Sequence, residues 1–78
     1  MNFFHGYSKD DPQFDRSKNG SLYDRGGADF YYGRSPNPHW YPNGTYKGEM
    51  ITNLNDVEID EYMAGYYDAQ ELGLQKEY

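Results

Sequence analysis

The chain has 78 residues, a net charge of −6 and no cysteine. That length bounds it to one small domain burying only about 60% of its unfolded surface, and the missing cysteines exclude disulfides, thiolate metal centres and cysteine nucleophiles. No apolar run approaches the roughly 20 residues of a membrane span, and the N-terminal MNFFHGYSKDD has no signal-peptide core. The expectation is a cytoplasmic protein with no membrane partner.

Leu, Ile, Val and Phe together number 11 of 78, a fraction typical of disordered chains. Ten tyrosines and one tryptophan turn that reading around, because each ring buries a large area while keeping a polar tip wet. Charge is uneven as well. Residues 1–48 carry six Lys/Arg and five Asp/Glu, whereas residues 49–78 carry one Lys and eight Asp/Glu. The acidity belongs to the C-terminal part, and such a face suits a protein partner with a basic surface better than nucleic acid.

Residues 1–20 hold no sustained period and read as a tail or a docked loop, with Phe3, Phe4, Tyr7 and Phe14 supplying rings to dock. The folded part is then 21–78. A first helix is expected over 21–33, capped by Ser21 with Asp24 answering three residues on, and stopped by Gly33 ahead of Pro36. Its Gly26-Gly27 pair costs about 1 kcal/mol per glycine relative to alanine. A close helix–helix contact that a side chain would block can offset that cost.

Residues 34–53 contain Pro36, Pro38 and Pro42 and cannot be helical through them. Asn43-Gly44, flanked by His39-Trp40-Tyr41 and Thr45-Tyr46, suggests a turn or a short two-stranded hairpin, with Trp40 as the plug that leans on the helices. The match of Asn19-Gly20-Ser21 and Asn43-Gly44-Thr45 to the glycosylation pattern is better read as Asn-Gly turns.

The second helix carries the strongest signals. Asn55 and Glu58 form a capping box, with Leu54 and Ile59 placed as a staple. Ile59, Tyr62, Met63, Tyr66 and Ala69 make one apolar stripe. Asp60, Glu61, Asp68 and Glu71 fall largely off it. Gly73 can stop the helix in the left-handed region, and Leu74 can fold back on Ala69.

The two helices share a spacing. Tyr23-x-x-Gly26-x-x-Asp29 matches Tyr62-x-x-Gly65-x-x-Asp68, and a glycine closes each, at Gly33 and Gly73. Helices with small residues one turn after a tyrosine can cross closely at the glycines. The fold class expected is therefore mainly α, two packed helices joined by a Pro/aromatic loop.

Arg25-Gly26-Gly27-Ala28, Tyr32-Gly33-Arg34, the Pro-rich aromatic loop and Tyr62-Met63-Ala64-Gly65-Tyr66 resemble ribosome modulation factor. That resemblance covers about Arg25 to Ala69. It implies a helix–loop–helix that docks on the ribosome or its RNA, here through Arg25, Arg34, Lys47 and Trp40. The chain departs from that strongly basic family in being acidic and in lacking its loop cysteine. The stretch YDRGGADFYYGR…PHWYPNGTYKGE resembles more closely small proteins of tailed bacteriophages, a setting where small proteins often bind host machinery.

Catalysis has little footing. His5 and His39 sit in different irregular segments, a helix offers Asp56, Asp60 and Glu61 without the looped geometry of a calcium site, and no phosphate-loop spacing occurs. No cofactor or metal is expected. Binding is the better reading: Tyr31, Tyr32, Arg34, Trp40, Tyr41 and Tyr46 form an aromatic/arginine centre of the kind that supplies interface hot spots. With Asp60, Glu61, Asp68 and Glu71 they make the expected partner surface, while Tyr23, Gly26, Tyr62 and Gly65 make the helix crossing.

Overall fold

The computed structural model describes residues 11–75, and the expected docking of Phe3, Phe4 and Tyr7 concerns residues outside them. Helix α1 spans Leu22–Tyr31 and α2 spans Asp56–Leu72, with a 3-10 turn at Pro12–Phe14 ahead of them. Each start is closed by a side chain. Ser21 accepts from the Asp24 amide, and Asp24 answers on the Gly20 amide at 2.8 Å, one residue before the cap. At α2 the box is complete, with Asn55 accepting from the Glu58 amide and Glu58 from the Asn55 amide.

Both helices stop in the same way. Gly33 and Gly73 adopt φ of 74° and 69°. The next residue reaches back, Arg34 N–H to the Asp29 carbonyl at 2.8 Å and Leu74 N–H to the Ala69 carbonyl at 2.9 Å. These bonds occupy carbonyls that a helix end leaves open.

The fold is mainly α, with the two helices packed against each other. What sets their approach is a pair of glycines. A methyl group on Gly26 would stand 2.0 Å from the Tyr62 carbonyl oxygen, and one on Gly65 would stand 2.1 Å from that of Tyr23. Each glycine hydrogen instead points at a carbonyl of the other helix, a weak contact worth about 0.5–1 kcal/mol. Gly27 is different: a methyl there would meet its nearest neighbour, the Gly65 carbonyl oxygen, at an ordinary 3.7 Å.

Phe14, Leu22, Trp40 and Tyr62 form the buried apolar cluster, with Ile51, Leu54 and Met63 packed against it. The turn before α1 is thus joined to the helices through Phe14, and Asn19 adds a bond from the Thr45 amide at 2.8 Å.

No hairpin forms at Asn43-Gly44. Among the described residues the pairing is a single antiparallel bridge between Trp40 and Ile51, closed by bonds of 3.1 and 2.9 Å. The reason lies in the intervening backbone. Gly44, Tyr46 and Gly48 all have positive φ, so consecutive turns replace the extended strand that a hairpin needs. Also among the described residues, no helix is long and apolar enough to cross a membrane.

Candidate functional site

The crossing uses every position of the repeated spacing. Each tyrosine donates its hydroxyl to the aspartate of the opposite helix, Tyr62 to Asp29 and Tyr23 to Asp68. The arrangement has an approximate two-fold relation, yet its two ends sit in different environments.

At the first end the loop after α1 closes over the pair. Asp29, Arg25, His39 and Tyr62 are all buried. Arg25 donates from Nε to His39 Nε2 at 3.1 Å and from Nη1 to Thr45 at 3.4 Å, and its Nη2 lies 3.5 Å from the Asp29 carboxylate. His39 Nδ1 faces the Asn37 carbonyl, so these partners set the neutral tautomer with its proton on Nδ1. The Asn37 amide donates to the Tyr62 hydroxyl at 3.0 Å. Burial, assisted by Asp29, pushes the Tyr62 phenol far above the usual tyrosine range. A buried ion pair costs desolvation unless its remaining donors and acceptors are occupied. Here the loop occupies them.

Next to this network lies a pocket of ≈ 170 Å³ bounded by Arg25, Arg34, His39, Tyr41, Tyr46 and Met50 among others. Arg34 extends over it from the end of α1, 3.3 Å from Asp29. Tyr46 also lines it, with its backbone in the left-handed region at φ 63°, a conformation that costs a non-glycine residue roughly 1–2 kcal/mol. The Arg25 guanidinium sits 5.2 Å from the Tyr46 ring centroid and 5.6 Å from that of Tyr41. Hydrogen bonding from Arg34, then from Arg25, holds the Tyr46 phenol below its ordinary pKa.

At the second end no loop among the described residues covers the pair. Arg16 stacks on the Tyr23 ring at 4.0 Å and pairs with Glu61 at 2.8 Å, while the bond to Asp68 raises the Tyr23 pKa. Beside it opens a mainly apolar groove of ≈ 450 Å³, with Gly27, Ala28 and Ala69 on its lining and Tyr31, Tyr32 and Leu74 around them. Those three large residues are 41%, 45% and 52% exposed.

The expected partner residues divide accordingly. Tyr31, Tyr32, Arg34, Tyr46, Asp60, Asp68 and Glu71 are at the surface. Trp40 and Tyr41 are each 8% exposed and act as core. Glu61 is tied to Arg16 and Asp68 to Tyr23, whereas Asp60 and Glu71 make no such bond among the described residues. Of the residues expected to contact RNA, Arg25 and Trp40 are buried, and Arg34 and Lys47 are exposed. Sequence reasoning missed Asp29, although its place in the repeated spacing marked it as the counterpart of Asp68. It also missed the groove, whose signal was a second glycine, Gly27, with no role in the crossing.

The chain matches no protein-family model, no curated protein and no solved structure. The likeness to tailed-phage proteins and to ribosome modulation factor therefore rests on the residues quoted above.

Proposed function

We propose that this is a non-enzymatic accessory protein that binds another protein, one with a basic surface and an apolar side chain to insert. The observation that carries this reading is the groove beside the crossing, lined by Tyr31, Tyr32 and Leu74 over Gly27 and Ala28. Gly27 weakens α1 by about 1 kcal/mol relative to alanine without being needed for the close approach. Its missing side chain keeps the groove deep. Exposed apolar residues gathered in a groove are a common mark of protein interaction sites, and tyrosine is enriched among interface hot spots.

Charge supports the choice of partner. The chain carries −6, Asp60 and Glu71 lie exposed on α2, and Asp24 lines the groove itself. Such a field speeds encounter with a basic surface and weakens as salt screens it. The resemblance to phage proteins supports a bacterial host as the source of the partner.

The test is capture from bacterial lysate at low and high salt, comparing the wild type with Tyr31→Ala/Leu74→Ala and with Asp60→Lys/Glu71→Lys. A basic protein held by the wild type and lost from both variants, whose melting stays near wild type, is the expected result. Retention by both variants would refute the groove and the acidic face together. Recovery of ribosomal proteins with rRNA would favour the ribosome resemblance instead.

A further inference from the structure

We propose that the pocket between α1 and the 34–50 loop binds one small oxyanion, a phosphate or carboxylate group, on the Arg25 and Arg34 guanidiniums, and that Tyr46 is a cover the anion displaces. This pocket shares no lining residue with the groove, so the inference stands apart from the protein-binding reading.

The first argument is charge. Arg25 and Arg34 lie 3.5 and 3.3 Å from a single carboxylate, Asp29. With His39 neutral, the cluster keeps one positive charge inside a chain of net −6. The second is preorganisation. Arg25 is fixed on His39, Thr45 and Asp29 and is 4% exposed, so holding an anion there costs little further ordering. Arg34 is more exposed and supplies a second planar fork, the geometry that suits carboxylate and phosphate oxygens.

The third argument is the cover. A phenol presents one oxygen to donors that an oxyanion would satisfy with charge-assisted bonds, about twice as strong as neutral ones. Tyr46 is 65% exposed and sits in left-handed backbone between Gly44 at φ 100° and Gly48 at φ 75°. Strain of this kind in an exposed residue over a polar pocket is the type of outlier that clusters at ligand sites. Its ring gives up little burial when it swings away.

The experiment is thermal melting of the full chain in inorganic phosphate and in acetate, each against chloride at matched ionic strength. Saturable stabilisation of the wild type by at least one of them is expected, as for a ligand that binds the folded state alone. Phosphate alone would mark a tetrahedral anion, acetate alone a carboxylate, and both a site that takes either. Arg34→Gln should respond to neither. Tyr46→Asn, whose asparagine accepts left-handed backbone, should respond at a several-fold lower concentration. Tyrosinate absorbance gives a second readout: the Tyr46 titration, taken as the difference from Tyr46→Phe, should move up in pH when the anion takes Arg34. No saturable response in the wild type, or an equal response in Arg34→Gln, would overturn the proposal.

Discussion

The Tyr62–Asp29 and Tyr23–Asp68 pairs are built from the same spacing and make the same bond, but they end in different chemistry. Asp29 is 3% exposed and is met by Arg25, Arg34 and the Tyr62 hydroxyl under the loop. Asp68 is exposed and meets the Tyr23 hydroxyl at the surface. The comparison separates two tasks. The repeated spacing sets how the helices cross, and the cover laid over one end decides which pair becomes a buried polar network. The uncovered end keeps an apolar groove.

The largest expected effect tests what the two ends share. Gly65→Ala places a methyl group against the Tyr23 backbone, where no rotamer change can relieve it. It should cost about 3 kcal/mol or more, and in so small a domain the melting transition should be lost or fall by tens of degrees. A Gly65→Ala protein that melts like wild type would dissolve the close crossing.

Next come the hydroxyls, which distinguish the ends. Tyr62→Phe leaves Asp29 short of a donor inside the protein and should cost about 1–3 kcal/mol, whereas Tyr23→Phe at the exposed end should cost about 0.5 kcal/mol. Chemical denaturation of both variants measures the difference. Equal losses would mean that the loop adds nothing to the covered pair.

Alkaline pH sharpens the same contrast. Tyr62 is held protonated above the usual tyrosine value, while an unfolded tyrosine ionises near pH 10. Above that pH the folded state therefore binds more protons than the unfolded one, and stability present at lower pH falls as pH rises. Tyr62→Phe should flatten this alkaline limb. Tyr23→Phe should flatten it less, because its pKa is raised chiefly by an exposed bond to Asp68. The lowered Tyr46 acts in the opposite sense but is common to all three proteins, so it cancels from the differences.

The helices were legible because their signals are local. Ser21, Asn55, Glu58, Gly33 and Gly73 each act within one turn, and the sequence displays them directly. The crossing was legible because it repeats. Two features were hidden because they depend on tertiary cover. Trp40 reads both as the plug on the helices and, with Tyr41, as a partner anchor; the bridge from Trp40 to Ile51 turns the loop onto the core, so the plug holds and both rings are buried. Asp68 and Glu61 look like a free acidic face, yet Tyr23 and Arg16 approach them from other segments. The hairpin failed for a further reason. Asn43-Gly44 favours a tight turn, but the left-handed Tyr46 that follows could not be foreseen from residue type.

The most direct measurement is a paired melting experiment on neighbouring glycines, Gly26→Ala and Gly27→Ala. Both replacements raise helix propensity by about 1 kcal/mol, so helix formation alone predicts two stabilised proteins. The crossing predicts opposite signs: Gly26→Ala destabilised as strongly as Gly65→Ala, because its methyl meets the Tyr62 carbonyl at 2.0 Å, and Gly27→Ala stabilised, because its methyl meets ordinary contact at 3.7 Å. Shifts of the same sign would contradict the crossing.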